Sequence, residues 1–319
     1  MRDTNSIIFA KQKSDIILTE SNYPMITNNK VSRIFIAAFL LLVSIHLSAQ
    51  ITYTGFIDKY PIEFITDIDS EGSGNAIYAY TNYDTPIQIS GTLKKGIVTF
   101  YEKDKNGKET AQLIFENFDS KNKKLEGKWQ DLNTNKELQI SLLKVFEIDD
   151  AGSEWKNKEI LQPVSLKGKY FKLVLSKKKD ESPMITGIKI LEKRTDKLIQ
   201  QIALECQLWG LNNIMVDDYN FDGIEDFSVF ESSYAGPNTS RLYFLYNPTT
   251  GKYFESSFSG TSLQFNSKTK RISEHNQCCA GRSVITAEYK VVNNKMVLIK
   301  QTCMEYDDKT GDYKKVKCD

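Results

Sequence analysis

From Ile51 onward the chain is a succession of short stretches rich in Tyr, Ile, Phe, Val and Thr, each broken by Gly, Asn or Asp. β-branched and aromatic side chains fit a pleated, half-buried surface, and Gly, Asn and Asp turn the backbone between such stretches. The pattern prescribes antiparallel strands joined by tight turns, so an all-β fold is expected. Residues 60–67, 76–80, 87–93, 97–103, 112–117, 124–129 and 137–144 read as strands. Lys105-Asn106-Gly107-Lys108 and Leu132-Asn133-Thr134-Asn135 read as hairpin turns. That number of strands suffices for a small antiparallel barrel or sandwich over residues 50–146. Between Glu147 and Pro163 the alternation gives way to charged residues, Gly152 and Pro163, and residues 147–165 read as a linker. A second β domain is expected over residues 166–319. Its strands fall at 170–176, 186–191, 198–206, 227–231, 241–246, 253–254, 284–292 and 295–302.

One segment of the second series prescribes a particular chemistry. In Val216-Asp217-Asp218-Tyr219-Asn220-Phe221-Asp222-Gly223-Ile224-Glu225-Asp226-Phe227, oxygen side chains recur at every second position. With Asp218 at position one of an EF-type loop, Asn220, Asp222 and Asp226 fall at three, five and nine. Gly223 takes the sharp turn at six, and Ile224 offers its carbonyl at seven. A hard divalent cation needs six to eight such oxygens, and Ca2+ is the expected ligand. Position twelve is Val229, so the bidentate glutamate of an EF-hand is absent, and the following residues read as a strand rather than a helix. A plain turn shares this composition. The register of the glycine and the crowding of Asp217, Asp218, Asp222, Glu225 and Asp226 favour the ion, in a structural role at the entrance to a strand.

The chain of 319 residues carries 42 basic against 41 acidic side chains, a balance that excludes a nucleic-acid footprint. Arg33 is followed by an almost wholly apolar run over residues 34–47 and then by Ser48-Ala49-Gln50, the form of a secretory signal peptide cleaved after Ala49. Residues 1–49 are therefore expected to be leader. Met25 is an ordinary start for such a peptide, and an uncleaved anchor is the competing reading. The mature chain is expected to be periplasmic or secreted and free of the membrane after cleavage, in compartments where calcium is plentiful.

Cys206, Cys278, Cys279, Cys303 and Cys318 all lie in the C-terminal half. In an exported chain they are free to pair, and the odd count leaves one over. Adjacent Cys278 and Cys279 are hard to join to each other, so links from that pair to Cys303 and Cys318 are expected, with Cys206 as a buried thiol. No CxxC or Cys/His spacing for zinc occurs.

Beyond the leader the only histidine is His275, and no nucleophile elbow, glycine-rich phosphate loop or HExxH is present. A protein without enzymatic activity is expected. Tyr53, Tyr60, Tyr78, Tyr80, Tyr83 and Trp129 could stack on a glycan, although in a β domain such residues usually fill the core or pair across strands.

The calcium-type run, followed by Ser232-Ser233-Tyr234-Ala235-Gly236-Pro237-Asn238 and by Tyr243-Phe244-Leu245-Tyr246-Asn247-Pro248-Thr249-Thr250-Gly251-Lys252-Tyr253-Phe254, resembles a bacterial family. It is similar to the periplasmic lysozyme-inhibitor-like proteins, which include calcium-dependent immunity proteins against peptidoglycan hydrolases. The resemblance covers residues 170–302. It implies an eight-stranded β domain with bound calcium and no catalysis, and it places Ser232, Ser233, Tyr234 and Gly236 in a loop that enters a hydrolase cleft. The N-terminal β domain and the five cysteines set this chain apart from the simplest members. The function expected is binding and inhibition of a peptidoglycan hydrolase or lysozyme. The alternative is a periplasmic or surface glycan-binding module without catalytic activity.

Overall fold

Alternation of buried and exposed side chains along the first eight strands closes them into an antiparallel barrel. The computed structural model describes residues 49–150, 152–234 and 236–318, so the expected leader lies, apart from Ala49, outside the described residues. The barrel comprises β1 (Ala49–Ile57), β2 (Tyr60–Ile68), β3 (Ser73–Tyr80), β4 (Ile87–Lys94), β5 (Ile97–Lys103), β6 (Glu109–Phe115), β7 (Lys124–Asp131) and β8 (Glu137–Glu147). The hairpin turns expected between β5 and β6 and between β7 and β8 are present, with Gly107 and Asn135 at positive φ. The strand missed by the sequence reading, β1, is the one that pairs with both β2 and β8 and so closes the ring. Its seam depends on Gly55, where a Cβ would lie 2.1 Å from the Ser141 carbonyl oxygen.

The barrel interior is packed. Phe64, Phe100, Leu113, Phe115 and Leu142 are fully buried, and the Phe64 ring lies 5.7 Å from Phe115 and 6.1 Å from Phe100. These side chains form a hydrophobic core at the centre. On β2 and β3 the alternation breaks, because Phe64 and Tyr78 point inward while their neighbours Ile65, Ile77 and Ala79 are buried on the outer face. Something covers that face.

What covers it begins with β9 (Trp155–Ser165), inside the segment expected to be a linker. Of the described residues in that segment, only those between β8 and β9 lie outside strands. Lys156, Asn157 and Glu159 are exposed, whereas Ile160, Leu161, Gln162 and Pro163 are buried. The charged face hid the strand in the sequence. Pro163 is accommodated because Gln162, Pro163 and Val164 bulge opposite Phe171, where no ladder donor is needed.

β9 is the edge of a four-stranded antiparallel sheet with β10 (Lys169–Lys177), β11 (Met184–Glu192) and β12 (Leu198–Gln207). A second sheet follows in chain order, β13 (Ile214–Asp217), β14 (Asp226–Ser233), β15 (Thr239–Asn247) and β16 (Lys252–Glu255). A third contains β17 (Gln264–Asn266), β18 (Arg271–Cys278), β19 (Ser283–Val292), β20 (Lys295–Asp307) and β21 (Asp312–Val316). The all-β expectation holds, but the region expected to hold eight strands holds twelve, which with β9 make three meander sheets. The strands left out are short or strongly polar on one face.

Two apolar clusters join these layers. Barrel residues Ile65, Ile77 and Ala79 share a core with Ile160, Phe171 and Ile188 of the first sheet and Phe227, Val229 and Phe244 of the second. Tyr219, Tyr243 and Leu245 then pack with Ile272 and Phe265 of the third sheet. Polar ties reinforce the first junction: Lys172 pairs with Glu63, and the Arg194 N–H donates to the Asp84 carboxylate at 2.8 Å. By their contacts the barrel and the sheets fall within one compact unit. Among the described residues no helix is long and apolar enough to cross a membrane.

Candidate functional site

The calcium-type loop joins β13 to β14, and its side chains organise the backbone around themselves. Asp218 accepts the N–H groups of Asp222 (3.0 Å) and Gly223 (2.8 Å), one on each carboxylate oxygen. Asn220 Oδ1 accepts the Asp222 N–H, and Asp222 Oδ1 accepts the Ile224 N–H at 2.9 Å. Gly223 sits at φ 89°, a conformation that a side chain disfavours even though a Cβ there would meet nothing within 4 Å. The loop is anchored to the third sheet, since Asn220 Nδ2 donates to Asn294 Oδ1 at 3.0 Å and Lys270 Nζ to the Phe221 carbonyl.

Asp226 differs from the others. It is fully buried at the base of the loop, and its two oxygens accept the N–H groups of Tyr219 (3.0 Å) and Tyr246 (2.8 Å). Burial pushes its carboxyl up to about 6, the Asp222 charge adds to the rise, and the backbone donors work against it. Among the described residues no three His, Cys, Asp or Glu side chains gather into a metal-holding group. The donor set at Asp218, Asn220, Asp222 and the Ile224 carbonyl is nevertheless all oxygen, and each carboxylate oxygen that accepts one N–H keeps a second lone pair.

The segment Ser232 to Asn238 leaves the opposite end of β14. Eight residues at about 3.4 Å rise separate the two loops by roughly 24 Å, so the first loop cannot shape the second by direct contact. The second loop has its own supports. The Ser233 N–H donates to Gln207 Oε1, the Tyr234 N–H to the Asn238 carbonyl, and Asn238 Nδ2 to the Gln277 carbonyl at 2.7 Å. Tyr234 is 54% exposed on this frame, Gly236 turns at φ 83°, and Ser232 and Ser233 are half-buried.

Beside this loop lies a feature that the sequence reading missed. Trp209, between β12 and β13, is 59% exposed, and its indole rests on Phe230 with ring centroids 5.4 Å apart. Its backbone is fixed through Asn213, whose Oδ1 accepts the Trp209 N–H at 2.7 Å and whose carbonyl accepts the Arg241 guanidinium. Between Trp209 and the barrel opens a cleft of about 410 Å³, walled by Asp67, Asn75, Gln88, Tyr101 and Lys103. A tryptophan flanked by Gly210, Asn212 and Asn213 sits in a turn rather than a strand, and that signal was available in the sequence.

The aromatics suggested for stacking behave mostly as core. Tyr53 and Tyr78 are buried, and Tyr78 and the Trp129 indole both donate to Glu102. Tyr60 and Tyr83 are exposed, and Tyr60 meets Tyr80 edge-on, not as a coplanar platform. The disulfide expectation needs correction: Cys303 bonds Cys318 across the β20–β21 hairpin with Cα atoms 5.4 Å apart, while Cys278 and Cys279 are free and exposed. Sequence proximity within that hairpin decides the pairing. Cys206 is a buried thiol, as expected, and burial pushes it up to about 12. His275 is exposed on β18.

No family model and no curated protein matches the chain. Among solved structures, a Xanthomonas type IV secretion system related protein is 12% identical over 83% of this chain and 99% of its own, with a TM-score of 0.24. The β-propeller domain of the Trilobed protease from Pyrococcus furiosus is 11% identical over 84% and 85%, with a TM-score of 0.24. A GH43_1 enzyme from Xanthomonas citri, complexed with xylotriose, is 7% identical over 87% and 96%, with a TM-score of 0.21. Likeness at this level carries no argument about fold or function.

Proposed function

We propose that the mature chain is an exported, non-catalytic binding protein that inhibits a peptidoglycan hydrolase or lysozyme, with one structural Ca2+ in the loop from Asp218 to Asp226. The observation that carries the binding reading is the pair of exposed aromatics, Tyr234 and Trp209, on hydrogen-bonded supports at one end of β14. Tyr and Trp are the residues around which interface energy concentrates, and a loop fixed beforehand loses less freedom on binding. The target class follows from the resemblance of residues 170–302 to the lysozyme-inhibitor-like proteins. Ca2+ acts here on stability, 24 Å or so from the contact. Assay of a panel of lysozymes and cell-wall hydrolases with added chain tests the reading. Loss of turnover by at least one enzyme supports it, and full activity throughout sinks it.

The cleft beside Trp209 favours a second reading, a glycan-binding module. An open indole over amide, carboxylate, phenol and ammonium groups suits a sugar ring, whose C–H face stacks and whose hydroxyls bond. Sugar arrays with the wild-type chain and with Trp209→Ala separate the two readings: glycan binding lost in the variant selects this one.

A further inference from the structure

Consecutive residues of an extended strand send their side chains to opposite faces. Cys278 and Cys279 do not: their sulfurs lie 2.7 Å apart at the exposed turn between β18 and β19. The backbone explains the meeting. Cys278 is extended at φ −125° and ψ 175°, and Cys279 then turns left-handed at φ 58°, which swings its Cβ back toward its neighbour. Ala280 and Gly281 continue left-handed at φ 55° and 84°. Two residues with a Cβ in this region are unfavourable, and an Asn or Gly would fit at less cost, as Asn293 and Asn294 do in the next hairpin.

The turn is also clamped from outside. The Arg282 N–H donates to the Cys279 carbonyl, the Tyr313 hydroxyl to the Gly281 carbonyl, and the Arg282 guanidinium is paired with Asp308. The sulfurs are therefore held together and open to solvent, away from the Cys303–Cys318 bond already made across the neighbouring hairpin.

We infer that Cys278 and Cys279 are a redox-active vicinal pair that closes an eight-membered disulfide ring when it meets a disulfide oxidant. One cysteine thiolate attacks a sulfur of the oxidant, forming a mixed disulfide and releasing one thiol. The second cysteine then attacks its neighbour's sulfur and expels the other thiol. The two cysteines give up two electrons and two protons, and the oxidant's S–S bond becomes two S–H groups. Adjacent Cα atoms stand about 3.8 Å apart, closer than ordinary disulfides allow, so this ring is reduced more readily than Cys303–Cys318.

The ring has a neighbour that gives it consequence. Gln277, the residue before it, donates its N–H to Asn238 Oδ1 at 3.1 Å and accepts Asn238 Nδ2 at its carbonyl, closing the end of the loop that carries Tyr234. Oxidation stiffens the turn on which that clasp is built. This consequence rests on the partner-loop reading, whereas the ring itself does not.

The test equilibrates the full chain with oxidised glutathione, blocks remaining thiols with N-ethylmaleimide under denaturing conditions, and maps the peptides by mass. The peptide holding both cysteines is expected unlabelled and two hydrogens lighter than its reduced form, taking two labels only after dithiothreitol. Label on both cysteines without reduction, glutathione retained on either, or a crosslink from either to Cys303 or Cys318 would overturn the ring. Amide exchange at residues 234–238 is expected to slow on oxidation. Equal exchange in the two states would overturn the link to the loop.

Discussion

Asp222 and Asp226 are four residues apart and do different work. Asp222 is exposed at the turn and belongs to the oxygen set open to a cation, while Asp226 is a buried acceptor for the loop backbone at Tyr219 and for β15 at Tyr246. Asp222→Ala is therefore expected to abolish stabilisation by calcium. At a hundredfold excess over Kd the ion adds about 2.7 kcal/mol, a rise on the order of 5 °C in Tm for the wild type. Melting curves in calcium and in chelator check this, and a wild-type Tm indifferent to both would leave the loop as a turn. A second carboxylate gives a pH prediction. Asp84 is buried, and burial raises its pKa although the Arg194 N–H opposes the rise. The unfolded chain loses this proton at lower pH than the native one, so stability falls as pH climbs from the ordinary carboxylate range through the raised native value, and then levels. Asp84→Asn should remove its share of that fall in urea titrations across pH, leaving the share set by the raised carboxyl of Asp226. The residues legible in the sequence were those whose partners lie a few positions away, as in the Asp218-Asn220-Asp222-Gly223 run. Trp209 was not legible because its value comes from Phe230 beneath it and from the barrel wall facing it.

β1 and β9 show why elements escaped where they did. β1 follows directly on the apolar run of the expected leader, and β9 presents Lys156, Lys158 and Glu159 before its buried half begins. Both are fixed by partners far along the chain: β1 by pairing with β8, and β9, besides its hairpin with β10, by packing on the outer face of the barrel. Gly55→Val should break the β1–β8 seam, because the obstacle is backbone that cannot swing aside. Overpacking of this kind costs about 1–3 kcal/mol, and chemical denaturation would measure it. Leu161→Ala, in the bulged half of β9, should cost about 2–5 kcal/mol, since its side chain is buried in the shared core. A linker residue would cost nothing measurable. The hairpin turns, by contrast, were read from sequence because Gly and Asn at positive φ announce themselves locally.

At the scale of the whole molecule, the barrel and the three sheets share apolar residues across each junction, so a single unfolding transition is expected by calorimetry. Two separated transitions would show independent domains. The same continuity sets the division of labour along β14, with the calcium-type loop at one end and Tyr234 and Trp209 at the other. Chelation well below the melting temperature should then weaken stability more than binding. The most direct measurement is turnover of a sensitive cell-wall hydrolase against rising concentrations of the wild-type chain and of Tyr234→Ala. The wild type is expected to titrate the activity away, and the variant, melting at the same temperature, to need at least tenfold more protein, a loss of about 1.4 kcal/mol. Equal inhibition by both chains would contradict the assignment of the contact to this loop, and undiminished turnover with either chain across the hydrolase panel would contradict inhibition itself.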